Sequence, residues 1–194
     1  MKPNKRILPL AAVLVCMPIS VYAHGLGKAG LINADWTPIQ VGAWPFSVFS
    51  AETKVYGVNF DLLGAYQENA VYGLSVAPIN ALDMVSSPGI FGVTIGLVSV
   101  MGSHTGLLVS LASGVDKNRG LQVGVFSGAW SNCGVQLGIV NDIDTDGAEY
   151  GCGGLQIGLF NNSDARSGLQ IGLLNHNRNA RFPWLPLVNF AMRR

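Results

Sequence analysis

An octapeptide that recurs eight times governs what this chain can fold into. Its form is Gly, Leu or Val, any residue, aliphatic, small, aliphatic, apolar, Asn or Ser. The copies are GVNFDLLG (57–64), GLSVAPIN (73–80), GVTIGLVS (92–99), GLLVSLAS (106–113), GLQVGVFS (120–127), GVQLGIVN (134–141), GLQIGLFN (154–161) and GLQIGLLN (168–175). Their starts lie 16, 19, 14, 14, 14, 20 and 14 residues apart, so the period is 14 and every exception is longer, as loop insertions would make it. A unit this short cannot bury an apolar face alone; it is stable only when stacked on its neighbours.

Within a unit, positions two, four and six are aliphatic almost throughout, as in Leu155, Ile157, Leu159 and Leu169, Ile171, Leu173. Alternation of period two is the strand signature, because successive side chains leave opposite faces. The other face carries Gln122, Gln136, Gln156 and Gln170, with Gly124, Gly138, Gly158 and Gly172 two residues on. Glycine weakens a strand, so its recurrence at one position points to a bend or to close approach of another backbone. The terminal Asn or Ser sits where a chain turns. No helical periodicity of ten or more residues follows residue 23.

Two all-β architectures accommodate this pattern. In a β-solenoid each stretch of about 14 residues makes one coil, and Gln or Asn side chains stack in ladders at the ~4.8 Å strand spacing. In an up-and-down β-barrel each unit is one strand of a meander, and the natural repeat is then two strands of opposite direction. Every unit here has the same polarity, and seven of the eight end in Asn or Ser, which favours the solenoid. The barrel, with Leu and Ile against lipid as in a small outer-membrane protein, is the alternative.

Composition narrows the function. Charged residues are 12% of the chain and the formal net charge is +1, too few and too balanced for the concentrated basic face of a nucleic-acid binder. Lys2, Lys5 and Arg6 precede an apolar run from Ile7 to Val15, and Val21-Tyr22-Ala23 offers a cleavage site before His24. This is the pattern of a secretory signal peptide over 1–23 and predicts an exported protein, at the surface, outer membrane or periplasm of a bacterium. The run is shorter than the ~20 residues a spanning helix needs. The domain plan is then a signal peptide (1–23), an N-terminal cap (24–56), the eight-unit array (57–175) and a C-terminal cap (176–194). Both caps are bulky and proline-punctuated, with Trp44-Pro45-Phe46-Ser47-Val48-Phe49 in one and Phe182-Pro183-Trp184-Leu185-Pro186-Leu187-Val188-Asn189-Phe190 in the other. Their aromatics are expected to plug the open ends of the core.

The tandem GLQIGLFN and GLQIGLLN units, the lead PIQVGAWPFSVFSAETKVYGVNF and the closing PWLPLVNF together resemble the bacterial surface-repeat-containing proteins. The resemblance covers roughly residues 37–190 and implies an envelope or surface location; it brings no catalytic residues with it.

Several residues could carry chemistry. Asp142, Asp144 and Asp146, followed by Gly147 and Glu149, match the first half of a calcium loop, in which carboxylates at alternate positions face one ion. Calcium is therefore the candidate cofactor, and a solvated acidic turn the alternative. Cys133 and Cys152 bracket this insertion; stacked coils would bring them together, and export favours a disulfide over two buried thiols. His104 and His176 fall in turns after strands, where a solvated surface histidine is expected. No nucleophile elbow, His-Glu-x-x-His or Cys-x-x-Cys is present, so no enzyme is expected. The apolar residues at unit position seven, Val98, Phe126, Val140, Phe160 and Leu174, form a contiguous stripe if they face outward, and such a stripe marks contact with a partner, a second copy or a membrane. The expected role is non-enzymatic: a structural or protein-binding, adhesin-like module with an unidentified protein or surface ligand as partner.

Overall fold

A computed structural model describes residues 30–43, 46–82, 89–145 and 152–192, and among them the chain is entirely β-strand and connection. The strands are β1 (Gly30–Ile32), β2 (Trp36–Ala43), β3 (Phe46–Phe49), β4 (Lys54–Asp61), β5 (Gly64–Gln67), β6 (Val71–Val76), β7 (Ile79–Leu82), β8 (Ile90–Asn118), β9 (Leu121–Asn132), β10 (Val135–Ile143), β11 (Leu155–Ser163), β12 (Gly168–Asn177) and β13 (Trp184–Ala191). They form one sheet whose main path is β1-β3-β2-β4-β6-β8-β9-β10-β11-β12-β13, with β5 paired to β7 and β7 to β8 beside it. From β2 through β12 the neighbours along this path run parallel and in sequence order. Parallel strands need a crossover, and here the crossover is the remainder of each coil. The molecule is a β-solenoid of about eight turns, not a barrel.

The register is that of the repeat itself. Gln136 sits on Gln122 and under Gln156, and Asn141 pairs with Ser127 on one side and Asn161 on the other. Gln170 and Asn175 continue both rows. The parallel register extends back beyond the first octapeptide, since Trp36–Ala43 already pairs in parallel with Lys54–Asp61. Antiparallel pairings stand at the two ends: β2 with β3, and β12 with β13.

Alternation alone does not say which face is inside, and the answer inverts the usual order. Gln122, Gln136, Gln156 and Asn141 are fully buried, as are Asn59, Ser75 and Thr94 at equivalent positions of earlier coils. The aliphatic residues at positions four and six, such as Ile95, Leu97, Leu137, Ile139, Leu159 and Leu173, are exposed. A buried amide is costly unless its donors and acceptor are bonded, and stacking identical amides meets that condition. Gln136 Nε2 donates to Gln122 Oε1 (3.2 Å), Gln156 Nε2 to Gln136 Oε1 (3.1 Å) and Gln170 Nε2 to Gln156 Oε1 (2.8 Å). The Asn row runs in the other sense: Asn141 Nδ2 donates to Asn161 Oδ1 (2.8 Å) and Asn161 Nδ2 to Asn175 Oδ1 (2.7 Å). In the earlier coils the interior is an apolar cluster of Val55, Val71, Ala77, Ile90, Met101, Leu108 and Val115, and in the later coils Ala129, Ile143 and Ala165 are buried beside the amide rows.

The mid-unit glycine has the cause its recurrence suggested. A Cβ on Gly158 would collide with the Gly138 carbonyl oxygen and with the Asn141 amide, so the Asn ladder fits only because the facing position has no side chain. The cap aromatics correct the expectation of core plugs: Phe46, Phe182, Trp184 and Phe190 are exposed. The reason is parity. Phe190 pairs with Leu169 and Asn189 with Gln170, so the polar residue of the closing strand faces inward and its aromatic neighbour faces out.

Candidate functional site

The feature most able to do work is the outer apolar face. Position-seven residues stack directly on one another, Phe126 on Val140, Val140 on Phe160 and Phe160 on Leu174. Phe126, Phe160 and Leu174 are exposed, whereas Val98 and Val140 are half-buried between their neighbours. The expected stripe is thus one lane of a broader surface. Positions two, four and six run beside it, for example Leu121, Val135, Leu155 and Leu169 in one lane and Val123, Leu137, Ile157 and Ile171 in another. All four of these positions are apolar in all eight units. Exposed charge lies beside these lanes rather than in them, as at Asp116, Lys117, Arg119 and Arg166.

A second outward row went unread in the sequence. Trp36, Tyr56, Tyr72 and Phe91 line up along the early coils, with centroids 6.4, 4.9 and 5.0 Å apart, the first pair edge-on and the last two stacked with their planes nearly parallel. The signal was present: Tyr56, Tyr72 and Phe91 each immediately precede the first glycine of a unit. Offset or stacked aromatic pairs contribute about 0.5–1.5 kcal/mol each, which helps order a region whose interior ladder is the shorter Asn59 and Ser75.

The acidic insertion is described only in part. Asp146 and Glu149 lie outside the described residues. Asp142 accepts a 2.6 Å hydrogen bond from Asn162 Nδ2, and Asn162 Oδ1 in turn lies 2.6 Å from His176 Nδ1. Burial, with Asp144 and Asp164 nearby, pushes the Asp142 carboxyl above its ordinary range, and the Asn162 amide opposes this. The Asp164 carboxylate is bonded by the backbone N–H (2.6 Å) and hydroxyl (2.8 Å) of Thr145. Among the described residues no group of three or more His, Cys, Asp or Glu is placed to hold a metal ion.

The cysteines meet as their bracketing position implied. Cys133 and Cys152 form a disulfide, Cα to Cα 5.0 Å, across two adjacent coils and 19 residues of sequence. The backbone supports the junction: Asn132 N donates to Cys152 O (2.9 Å) and Cys152 N to Ser131 Oγ (3.2 Å). Closing a loop of this length is worth about 3 kcal/mol on the chain-entropy account. Replacing both cysteines by serine should lower the urea midpoint accordingly while leaving the far-ultraviolet circular dichroism strand-like. An unmoved midpoint would mean the bond constrains nothing that the stacked coils do not already fix.

The histidines correct the expectation of solvated turns. His104 is wholly buried, because the coil turns inward where the repeat spacing suggested a surface loop. Burial lowers its pKa from 6.5 to about 4; the Asn118 side chain and Leu107 backbone approach and oppose the shift, without reaching either ring nitrogen in hydrogen-bond geometry. His176 is half-buried within β12 and stacks on Trp184 with centroids 4.2 Å apart. Since the folded chain holds His104 neutral, its contribution to stability is complete above about pH 6.5 and is lost as pH falls towards 4. Asp61, raised by burial from 3.8 to about 6, acts in the opposite sense, so stability from this group grows as pH falls through 6. We expect His104→Asn to gain about 2 to 3 kcal/mol relative to wild type between pH 7 and 4.5. Urea midpoints at the two pH values measure it; parallel shifts in both proteins would show that His104 is not held neutral.

At the closing end an open cleft of about 1210 Å³ is lined by Arg166, Asn179, Arg181, Phe182, Leu185 and Phe190 among others. It offers guanidinium groups and rings, with Arg181 5.7 Å from the Phe182 ring centroid, and no acid or nucleophile among its lining residues. No described helix is long and apolar enough to cross a membrane. Comparison with protein-family models, curated proteins and solved structures finds no match to this chain.

Proposed function

We propose that this chain is an exported, non-enzymatic repeat protein of a bacterial envelope or surface, of the surface-repeat type, whose work is adhesin-like protein contact through its outer apolar face. The observation that carries the reading is that positions two, four, six and seven are apolar in every one of the eight units, on the outside of the coil. Monomeric soluble proteins seldom expose contiguous apolar patches above about 300–600 Å², so a face of this kind has a partner. The N-terminal pattern of Lys2, Lys5, Arg6 and the apolar run to Val15 supports export, and a disulfide suits an oxidising compartment.

Expression of the whole gene in a Gram-negative host tests both halves of this reading. The expected result is a product that begins at His24, leaves the cytosol, and is cut by protease added to intact cells. A cytosolic product still carrying Met1 would overturn it.

A further inference from the structure

We infer that the apolar face is the self-association surface of this protein and that its occupant is a second copy of the chain. This rests on reading that face as the working surface, and not on where the protein resides.

The argument begins with area. The lane at position four runs from Val41 through Phe60 and Val76 to Ile95 and, on the next coil, where Gly106 packs against Gly92, from Val109 through Val123, Leu137, Ile157 and Ile171 to Val188. Ten rungs at ~4.8 Å, and six residues of ~3.3 Å across, give a surface of about 45 by 20 Å, on the order of 900 Å². That is the ~800 Å² each partner contributes to a standard stable interface.

Charge is the second argument. No outward residue at these four positions is charged in any unit, and depletion of charge with enrichment in Leu, Ile, Val and Phe is the composition of obligate interfaces that resemble a core cut in half. A lipid surface would be met differently. Proteins that lie on membranes set Lys and Arg beside the apolar face to engage anionic headgroups. Here the exposed charges beside the later coils are Lys117, Arg119, Arg166 and Arg178 with Asp116, while Asp142, Asp144 and Asp164 are half-buried; these few scattered cations, in a chain with only 12% charged residues, do not make the Lys- and Arg-rich polar face of a membrane-lying protein.

The third argument is shape. Parallel register holds each lane in line from coil to coil, so the face is regular and presents ridges of side chains separated by the coil spacing. A second copy has the same spacing, and two such faces interdigitate along their whole length; a partner without a ~4.8 Å repeat would match only locally.

Sedimentation of the exported product, purified without detergent, tests the proposal. The expected mass at ~1 µM is at least twice that of one chain. Leu137→Lys with Leu159→Lys places two charges on adjacent coils within the face and should shift the protein to monomer at ~50 µM with unchanged circular dichroism; Ile139→Gln with Leu173→Gln, which adds no charge, should raise the dissociation constant at least 10-fold. Lys117→Ser on the flank should leave the mass unchanged. A wild type that is monomeric at ~50 µM, or face variants that remain associated, would overturn the proposal. So would a wild type that stays monomeric and floats with vesicles of phosphatidylethanolamine and phosphatidylglycerol, which would assign the face to lipid. A cytosolic product that nevertheless associates through this face would overturn the export reading alone.

Discussion

Gly92→Ala is expected to abolish the folded state at 37 °C. Gly92 pairs with Gly73 and is followed in the same column by Gly106, and its φ is +143°, a conformation that L side chains rarely adopt. A Cβ there would fall well inside contact distance of the Gly73 carbonyl oxygen and of the rest of that residue's backbone. Both sides of the clash are main chain held in the parallel ladder, so no side chain can swing away to make room. The coils must separate or the residue must leave its φ, and either breaks hydrogen bonds between adjacent turns. The expected loss exceeds about 4 kcal/mol, the range reserved for backbone strain and core overpacking. Urea denaturation followed by circular dichroism reads it directly, and a midpoint within error of wild type would mean that the glycine column is not a spacing constraint.

Asn161→Ala carries the next largest effect, about 4 kcal/mol. The Asn161 amide donates to Ile171 O (3.0 Å) and to Asn175 Oδ1 (2.7 Å), and accepts from Asn141 Nδ2 (2.8 Å). Alanine leaves the Asn175 oxygen without its donor in the interior, at about 1–3 kcal/mol for an orphaned buried acceptor, and adds the cost of an emptied volume. Asn141 Nδ2 retains its bond to Ile157 O (3.0 Å), which keeps the total from rising further. Asn161→Ser should cost less, because the equivalent positions of earlier coils hold Ser99, Ser113 and Ser127 and the coil closes around the smaller residue there. Equal stability of both variants and wild type would show that the amide row is ornamental to the fold.

The repeat made most of this architecture readable. Equal polarity of the eight units separated coil from meander, and Gln136 over Gln122 or Asn161 over Asn141 is what a shared position in a stacked unit requires. The Cys133–Cys152 bond followed from the same stacking. What alternation could not supply is which side is in. Burial of apolar residues is the usual guide, but a row of identical amides spaced at one strand separation satisfies its own donors and acceptors, and the ordinary preference is reversed for Gln122, Gln136, Gln156 and Gln170. His104 departs from its expected surface position for a related reason: the segment between units looks like a loop in sequence, yet it completes the coil, and alternate residues there point inward. Asn118 and Asn132 form a third row by the same logic, with Asn118 Nδ2 donating to Asn132 Oδ1 at 2.8 Å, and their place two residues before Gly120 and Gly134 is the sequence sign of it. Size alone would put the cap aromatics in the core, whereas parity with Gln170 decides the direction of Phe190.

The two long amide rows point opposite ways, and each is a chain of dipoles laid head to tail. In the Gln row the N–H groups aim towards the beginning of the array, and in the Asn row towards its end. Polarisation strengthens each row as it lengthens, yet the opposing fields offset one another, so adding coils accumulates little net moment along the axis. Each row closes on an oxygen that nothing among the described residues satisfies, Gln170 Oε1 at one limit and Asn141 Oδ1 at the other. Evolution can therefore lengthen such an array by duplicating a coil without meeting an electrostatic ceiling, and the place to insert one is between those two oxygens, where every new amide finds a donor above and an acceptor below.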